Sequence, residues 1–242
     1  MFFIIHLTKF SNMNIVITGA GKGIGFECCL TALALGHRVV GISRNTSELK
    51  KIQNQYAEHL QIIECDLSID GEIEKTAKQI GTSLPYVDVL INNAGILLNK
   101  PFVEINELEL SQVYKTNVFV PFLLTQSLIK LISNSDHKHV INISSMGGIN
   151  GSVKFAGLSA YSSSKGALTI LTECLAEELK EANIRFNALA IGAVDTQMLR
   201  EAFPNYSAQI SPSEMATYII NFSTCQPLLF NGKVLQVSCS TP

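Results

Sequence analysis

The chain has 242 residues, 47% of them hydrophobic and 16% charged, with 18 basic and 20 acidic side chains and a formal net charge of -2. Such a composition supplies a large core and leaves no case for disorder, and the length suits one α/β domain. The near-neutral balance speaks against a nucleic-acid binder, which carries a basic excess, and no polybasic stretch points to a membrane surface.

The opening "MFFIIHLTKF" is too short to cross a bilayer, which takes about 20 residues. Its Lys9 follows the apolar run instead of preceding it, unlike a signal peptide. Residues 1–13 are therefore expected to form an N-terminal extension, with Met13 as an alternative start, ahead of a single domain over 14–242.

From residue 14 onward, strand and helix signals alternate. "NIVITG" reads as a buried strand and "GIGFECCLTALALG" as a helix stopped by Gly36. "HRVVGIS" is a second strand. "NTSELKKIQNQYAEH" is an amphipathic helix that Asn45 or Thr46 can cap. "LQIIECD", "DGEIEKTAKQIGT" and "VDVLINNAG" continue the pattern as strand, helix and strand. Long helical segments follow around "INELELSQVYKTNVFVPFLLTQSLIKLI". After them come the strand "HVINISS", a helix from Tyr161 to Lys180, the strand "IRFNALAIG", the helix "PSEMATYIINFS" and a last strand, "GKVLQVS". Nearly all-apolar strands alternating with helices predict a doubly wound parallel sheet with helices on both faces: a single-domain, Rossmann-like α/β fold.

The six cysteines, Cys28, Cys29, Cys65, Cys174, Cys225 and Cys239, form no CxxC pair. No metal cluster or disulfide framework is expected from them. Most read as small buried hydrophobes in a reducing cytoplasm.

Five stretches carry chemistry. "TGAGKGIG" (18–25) lies between a strand and a helix. Its glycines Gly19, Gly23 and Gly25 let a phosphate approach the backbone, and the helix N-terminus beyond offers free N–H groups. The spacing is GxxxGxG, not the commoner GxGxxG. "GISRN" ends the second strand with Ser43 and Arg44 and no acid. An acid there would accept from a ribose 2′-hydroxyl, whereas arginine accommodates a 2′-phosphate, and Lys22 can reach the same group. This favours NADP(H), with NAD(H) as the second choice. "INNAG" (91–95) ends the fourth strand with small and amide residues that leave room for a cofactor, and "INISS" ends the fifth with Ser144 and Ser145. In "YSSSK", Tyr161 and Lys165 share a helix face. A free tyrosine has a pKa near 10; a neighbouring ammonium and a cationic nicotinamide both favour its phenolate, and a lowering of roughly 3 units corresponds to about 4 kcal/mol.

"TGAGKGIG", "CDLS", "NNAG", Asn117, "NISS" and "YSSSK" stand in the order and approximate spacing of the short-chain dehydrogenases/reductases, and the chain resembles that family from about residue 14 to its end. The resemblance implies reversible hydride transfer between a carbonyl or alcohol and a nicotinamide. It makes Tyr161 the acid/base and Lys165 the group that lowers its pKa and holds the nicotinamide ribose. It makes Ser145 the hydrogen-bond partner of the substrate oxygen and Asn117 a member of the proton relay. In the cofactor site it places Gly19, Lys22, Gly23, Ile24 and Gly25 at the phosphates, and Ser43, Arg44, Asp66 and Leu67 at the adenosine. Asn93, Ala94 and Gly95 lie beside its ribose, and Val194 and Thr196 near the nicotinamide. It also implies a small-molecule carbonyl or alcohol substrate and admits a homodimer or homotetramer through helices such as "VFVPFLLTQSLIKLI". The apolar faces of those helices equally suit packing on the sheet.

The chain departs from the family in four places. Tyr161 lies 16 positions after Ser145, a longer gap than usual, which predicts a bulging loop at the substrate. Ile191 stands where the family has proline, ahead of Gly192. "LREAFPNYSAQIS" is short for a substrate lid, and "VSCSTP" lacks the family's Asp-Gly-Gly ending. The reading is an NADP(H)-dependent oxidoreductase, acting as a reductase. The alternative is a non-catalytic NADPH sensor or scaffold, against which the full set Asn117, Ser145, Tyr161 and Lys165 speaks. A sugar epimerase or dehydratase would use a similar pair but need a longer C-terminal substrate region.

Overall fold

The structure is a computed structural model that describes residues 12–225 and 229–239. The expected N-terminal extension lies outside the described residues up to residue 11; Met13, at its end, is buried in the core.

Seven strands form one parallel sheet in the order β3-β2-β1-β4-β5-β6-β7. They are β1 (Asn14–Thr18), β2 (Arg38–Ser43), β3 (Leu60–Glu64), β4 (Val89–Asn92), β5 (His139–Ser145), β6 (Arg185–Ile191) and β7 (Lys233–Val237). Strand order reverses beside β1, between β1 and β4, so a crevice opens at their carboxyl ends. Helices α1 (Gly23–Ala34), α2 (Ser47–Gln53), α3 (Glu72–Ser83), α4 (Glu107–Tyr114), α5 (Val120–Ser133), α6 (Ser159–Glu178), α7 (Gln197–Ala202) and α8 (Pro212–Cys225) connect the strands.

The two-residue period of a strand divides the core into two layers. Ile15 and Ile17 of β1, Val89 and Ile91 of β4, and Ile141 and Ile143 of β5 face α1 and α8. Val16, Leu90 and Val140 face α3, α5 and α6. Full burial of such side chains contributes about 1.5–3 kcal/mol each. The expected doubly wound parallel sheet is therefore what the chain forms.

The helical stretch Glu107–Ser133 is, at 27 residues, long and apolar enough to cross a membrane by length and composition. Here it covers the sheet, with Leu124, Leu128 and Ile132 buried. A π turn, Lys115–Phe119, joins α4 to α5 and carries Asn117.

Four local expectations change. The second helix stops at Gln53, well before residue 59, because the chain turns to bring His59 N–H onto the Tyr56 carbonyl. The fourth strand ends at Asn92, because Asn93 leaves the ladder to hold Thr18. A short helix, α7, occupies the region expected to be only a trimmed lid; Thr196 caps it by accepting from Leu199 N–H at 3.2 Å. Among the described cysteines, Cys28 and Cys29 are buried, whereas Cys174 and Cys239 are exposed. Cys174 lies on the outer face of α6, away from the sheet, and the expectation for the Cys225 side chain falls outside the described residues.

Candidate active site

The glycine loop is shaped by close approaches that only glycine permits. Gly19 (φ +67°) and Gly23 (φ +56°) adopt left-handed backbone. A Cβ on Gly25 would stand 2.2 Å from the Gly19 carbonyl oxygen. Lys22 caps α1 in extended conformation with no side-chain cap bond, and the first turn holds no acid. The N–H groups of Gly23, Ile24 and Gly25 are thus helix-start donors free of a side-chain cap, at the positive end of the helix dipole. Such a turn fits a pyrophosphate.

Asn93 braces this loop. Its side chain donates to the Thr18 carbonyl at 3.0 Å and the Gly19 carbonyl at 3.3 Å. The backbone N–H groups of Asn93 and Ala94 both donate to Thr18 Oγ1 at 3.0 Å. Thr18 and the close-packed Gly21 escaped the sequence reading; only the strand–turn–helix context marks them.

At the ends of β2 and β3, Ser43, Arg44, Asp66 and Leu67 come together. Arg44 lies 3.8 Å from Asp66 and its side chain is 63% exposed, so the pair is loose and worth little in stability. Asp66 Oδ1 accepts from the Ser68 backbone and hydroxyl at 2.9 and 2.6 Å. Partial burial pushes the Asp66 carboxyl up, but the Ser68 contacts and Arg44 outweigh it and hold the pKa below the ordinary value.

At the carboxyl end of β5 stand Ser145 and, across the crevice, Tyr161 and Lys165 on α6. Burial pushes the Tyr161 phenol above its ordinary pKa, and its side-chain hydrogen bond with Ser145 works the other way. Lys165 is buried and donates to the Ile143 carbonyl at 2.7 Å. Its Nζ lies 5.9 Å from the Tyr161 ring centroid, and burial lowers its pKa to about 8. At Tyr161 itself desolvation dominates and the Lys165 ammonium is turned to a carbonyl; the lowering expected from the ammonium together with a cationic nicotinamide belongs to the cofactor-bound site.

Asn117 stands behind these residues, fully buried. It accepts from Ile96 N–H at 2.9 Å and donates to the Ile96 carbonyl and Ser164 Oγ at 3.0 Å each. Ser164 in turn donates to the Tyr161 carbonyl at 2.7 Å. The π turn, a feature often found at functional sites, carries this brace. Gly95 leaves the room it needs: an added Cβ would lie 3.2 Å from Asn117 Oδ1 and 3.4 Å from Lys165 Nζ.

After β6, Val194 is buried and Thr196 packs under the glycine loop, with its methyl 3.6 Å from where a Gly23 Cβ would lie. Lys22 Nζ meets Gln197 Oε1 at 3.1 Å, joining the same two segments.

One cavity of about 460 Å³ gathers these pieces. Gly19, Lys22, Gly23, Ile24, Gly25, Ser43, Arg44, Asp66, Leu67, Asn93, Ala94, Gly95, Ser145, Tyr161, Lys165, Val194 and Thr196 all line it, and of the expected site residues only Asn117 does not. The structure adds lining residues that the sequence marked only as parts of the long loop after Ser145 and of the short lid, among them Met146, Phe155 and Phe203.

A model of the short chain dehydrogenase family matches residues 13–207. The chain belongs to the short-chain dehydrogenase/reductase family. The 3-oxoacyl-[acyl-carrier-protein] reductase FabG of Aquifex aeolicus is 30% identical over 237 residues, spanning 92% of this chain and 94% of that protein. Dehydrogenase/reductase SDR family member 7B of Mus musculus is 32% identical over 198 residues, 77% of this chain; the chain spans 59% of that relative's length. Among solved structures, a short chain dehydrogenase from Salmonella enterica serovar Typhi aligns with TM-score 0.86 and 28% identity over 93% of this chain and 96% of that one. One from Shigella flexneri, complexed with NADP, aligns with TM-score 0.86 and 27% identity over 94% and 98%.

Proposed function

We propose that this protein is an NADP(H)-dependent reductase that converts a carbonyl to a secondary alcohol. The observation that carries the proposal is the convergence of Ser145, Tyr161 and Lys165 on one cavity with the uncapped glycine-loop helix start and Arg44. A nicotinamide cofactor, when bound, supplies the hydride and the electrons for the reduction.

The chain's own residues have separable tasks. The N–H groups of Gly23, Ile24 and Gly25 receive the pyrophosphate. Asp66 and Leu67 border the adenine, and Asn93, Ala94 and Gly95 flank its ribose. Arg44, loosely held by Asp66, turns to the 2′-phosphate with Lys22 in support, giving NADP(H) preference over NAD(H). The Shigella flexneri relative complexed with NADP supports this choice. Val194 and Thr196 would contact the nicotinamide.

Ser145 donates to the substrate oxygen and steadies its growing negative charge. Tyr161 delivers the proton to that oxygen. Lys165 holds the nicotinamide ribose, stabilises the phenolate left after proton transfer, and with Asn117 opens the return path for a proton from solvent. Asn117 also positions α6, through Ser164, relative to the loop after β4.

The homodimer or homotetramer draws support from exposed Leu108, Phe119, Phe122 and Ile170 on α4, the π turn, α5 and α6. Free thiols on five described cysteines support a reducing, cytoplasmic setting. The test is calorimetric binding of NADPH and NADH, followed by loss of the reduced nicotinamide's absorbance with a panel of carbonyls. Tight NADPH binding and turnover of one panel member are expected; binding of neither nucleotide overturns the proposal.

A further inference from the structure

Beyond the catalytic trio, three chain segments meet over the cavity, and all three present apolar side chains to it. The loop after β4 contributes Leu97; the long loop between Ser145 and Tyr161 contributes Met146, Phe155 and Leu158; the segment around α7 contributes Leu199 and Phe203. The segments are tied to one another. Asn99 Nδ2 donates to the Ala202 carbonyl at 2.8 Å, and Lys100 N–H donates to the Gly157 carbonyl at 2.9 Å. Gly157 (φ +85°) lets Asn99 pass, since a Cβ there would lie 2.1 Å from Asn99 Oδ1. Across this junction the rings of Phe155 and Phe203 meet edge to face, centroids 6.4 Å apart and planes at 63°.

The charges near this wall are committed elsewhere. Lys100 pairs with Glu109 at 2.8 Å, and Arg200 with Asp195 at 2.6 Å. Lys154 Nζ donates to the Ile149 carbonyl at 2.6 Å and the Ser152 carbonyl at 3.0 Å. Among the described residues, the charged side chains that line the cavity are Lys22, Arg44, Asp66 and Lys165. The first three sit at the glycine loop and the ends of β2 and β3, and the fourth is turned to Ile143. Phe155 nevertheless stays 57% exposed at the mouth, and Tyr206, on the same rim, 51%. Large aromatic side chains left open beside a cavity gain when an apolar ligand covers them.

We infer that the substrate is an uncharged ketone bearing an aromatic or comparable apolar group, which lies against Phe155 and Phe203 while its carbonyl reaches Ser145 and Tyr161. This rests on the reductase reading and narrows it. In the reaction the ketone carbon gains the hydride, the oxygen gains the Tyr161 proton, NADPH leaves as NADP⁺, and the phenolate is reprotonated from solvent. Polyhydroxylated ketoses and keto acids are disfavoured. Their hydroxyls and carboxylate would be desolvated against Leu97, Met146, Phe155, Leu158, Leu199 and Phe203, whose side chains offer no hydrogen-bond partner.

The test measures acetophenone, xylulose and ketogluconate twice on the same protein: as ligands of the NADP⁺-saturated enzyme by calorimetry, and as substrates with NADPH. Acetophenone is expected to lead both rankings by at least about tenfold, the span one or two buried apolar groups supply. Phe203→Ala and Phe155→Ala should each lower kcat/KM for acetophenone by about tenfold more than for acetone. Turnover led by xylulose or ketogluconate would overturn the apolar assignment and leave the reductase reading standing. Acetophenone binding that is lost in Phe203→Ala, with no turnover of any ketone, would support the apolar wall and reject the reductase reading. A Phe203→Ala protein that binds acetophenone as well as the parent would overturn the assignment of the wall. NADPH affinity, unchanged in both variants, separates a local effect from misfolding.

Discussion

Lys165 Nζ donates to the Ile143 carbonyl at 2.7 Å while lying 5.9 Å from the centroid of the Tyr161 ring. The two side chains share a helix face, four residues apart, yet the ammonium is anchored to β5 and the phenol is left to Ser145. Burial then acts on each in the direction that removes charge: Tyr161 is held up and Lys165 is drawn down to about 8. The pair thus presents a protonated donor beside a lysine that ionises near physiological pH.

A pH profile reads this directly. The kcat/KM for NADPH reports the free enzyme. Lys165 must be cationic to hold the ribose, so kcat/KM should fall as pH rises through about 8, by tenfold per unit above it. A profile flat to pH 10 would show that Lys165 is not needed as a cation, or that its burial is relieved in solution.

Arg44→Ala should weaken NADPH binding by about 10- to 100-fold, since a hydrogen bond to a charged group contributes about 1.5–3 kcal/mol. NADH binding should barely change, because Arg44 is exposed and its contact with Asp66 is loose. Calorimetric titration with both nucleotides checks this; equal losses would reject the 2′-phosphate role.

Gly25→Ala places a methyl 2.2 Å from the Gly19 carbonyl and 2.5 Å from Asn93 Nδ2. The first is backbone and the second is held by two carbonyls, so the loop itself must move. A cost of about 1–3 kcal/mol is expected, seen as a melting point lower by several degrees, together with loss of NADPH binding. Unchanged melting and binding would mean that the loop is looser than its packing indicates.

Acid should loosen the far end of the sheet. His139 Nδ1 and His137 Nε2 both meet the Ser223 carbonyl, at 3.1 and 2.7 Å, and Asn187 Nδ2 meets His139 Nε2 at 3.0 Å. This arrangement needs a neutral His139, because a second ring proton would face the Asn187 amide donor. Burial above all, with His137 and Arg185 beside it and against the hydrogen bond to Ser223, lowers its pKa from 6.5 to about 3. The unfolded chain takes up a proton below pH 6.5 that the folded chain refuses. Stability therefore falls as pH drops from 6.5 towards 3, by roughly 2–3 kcal/mol at pH 4.5 from this residue. His139→Gln should flatten the dependence of the melting temperature on pH in that range; an unchanged slope would exclude His139 as its source.

Much of the site was legible because it is local. Thr18 to Gly25 declares a strand–turn–helix with glycines where backbone must approach, and Ser43–Arg44 shows its missing acid within two residues. Apolar runs such as "NIVIT" and "HVINIS" announce buried parallel strands by composition alone. What the sequence could not show depends on distant partners. The direction of the Tyr161 shift is decided by burial and by where Lys165 turns. The early end of β4 follows from the bonds of Asn93 to Thr18. Phe155 and Phe203, 48 positions apart, become a pair only when the loop after Ser145 folds onto α7. The longer Ser145–Tyr161 spacing did mark that loop, and the shortened lid marked its counterpart, but neither revealed that the two close on each other.

The central claim is that Tyr161 donates the proton in an NADPH-dependent reduction. The most direct measurement follows NADPH consumption with acetophenone by the parent protein and by Tyr161→Phe, with NADPH affinity of both determined in parallel. The account predicts equal NADPH affinity and a loss of turnover of about 10²- to 10⁴-fold in the variant, the range a positioned acid contributes. A Tyr161→Phe protein that binds NADPH and reduces the ketone at the parent rate would contradict it.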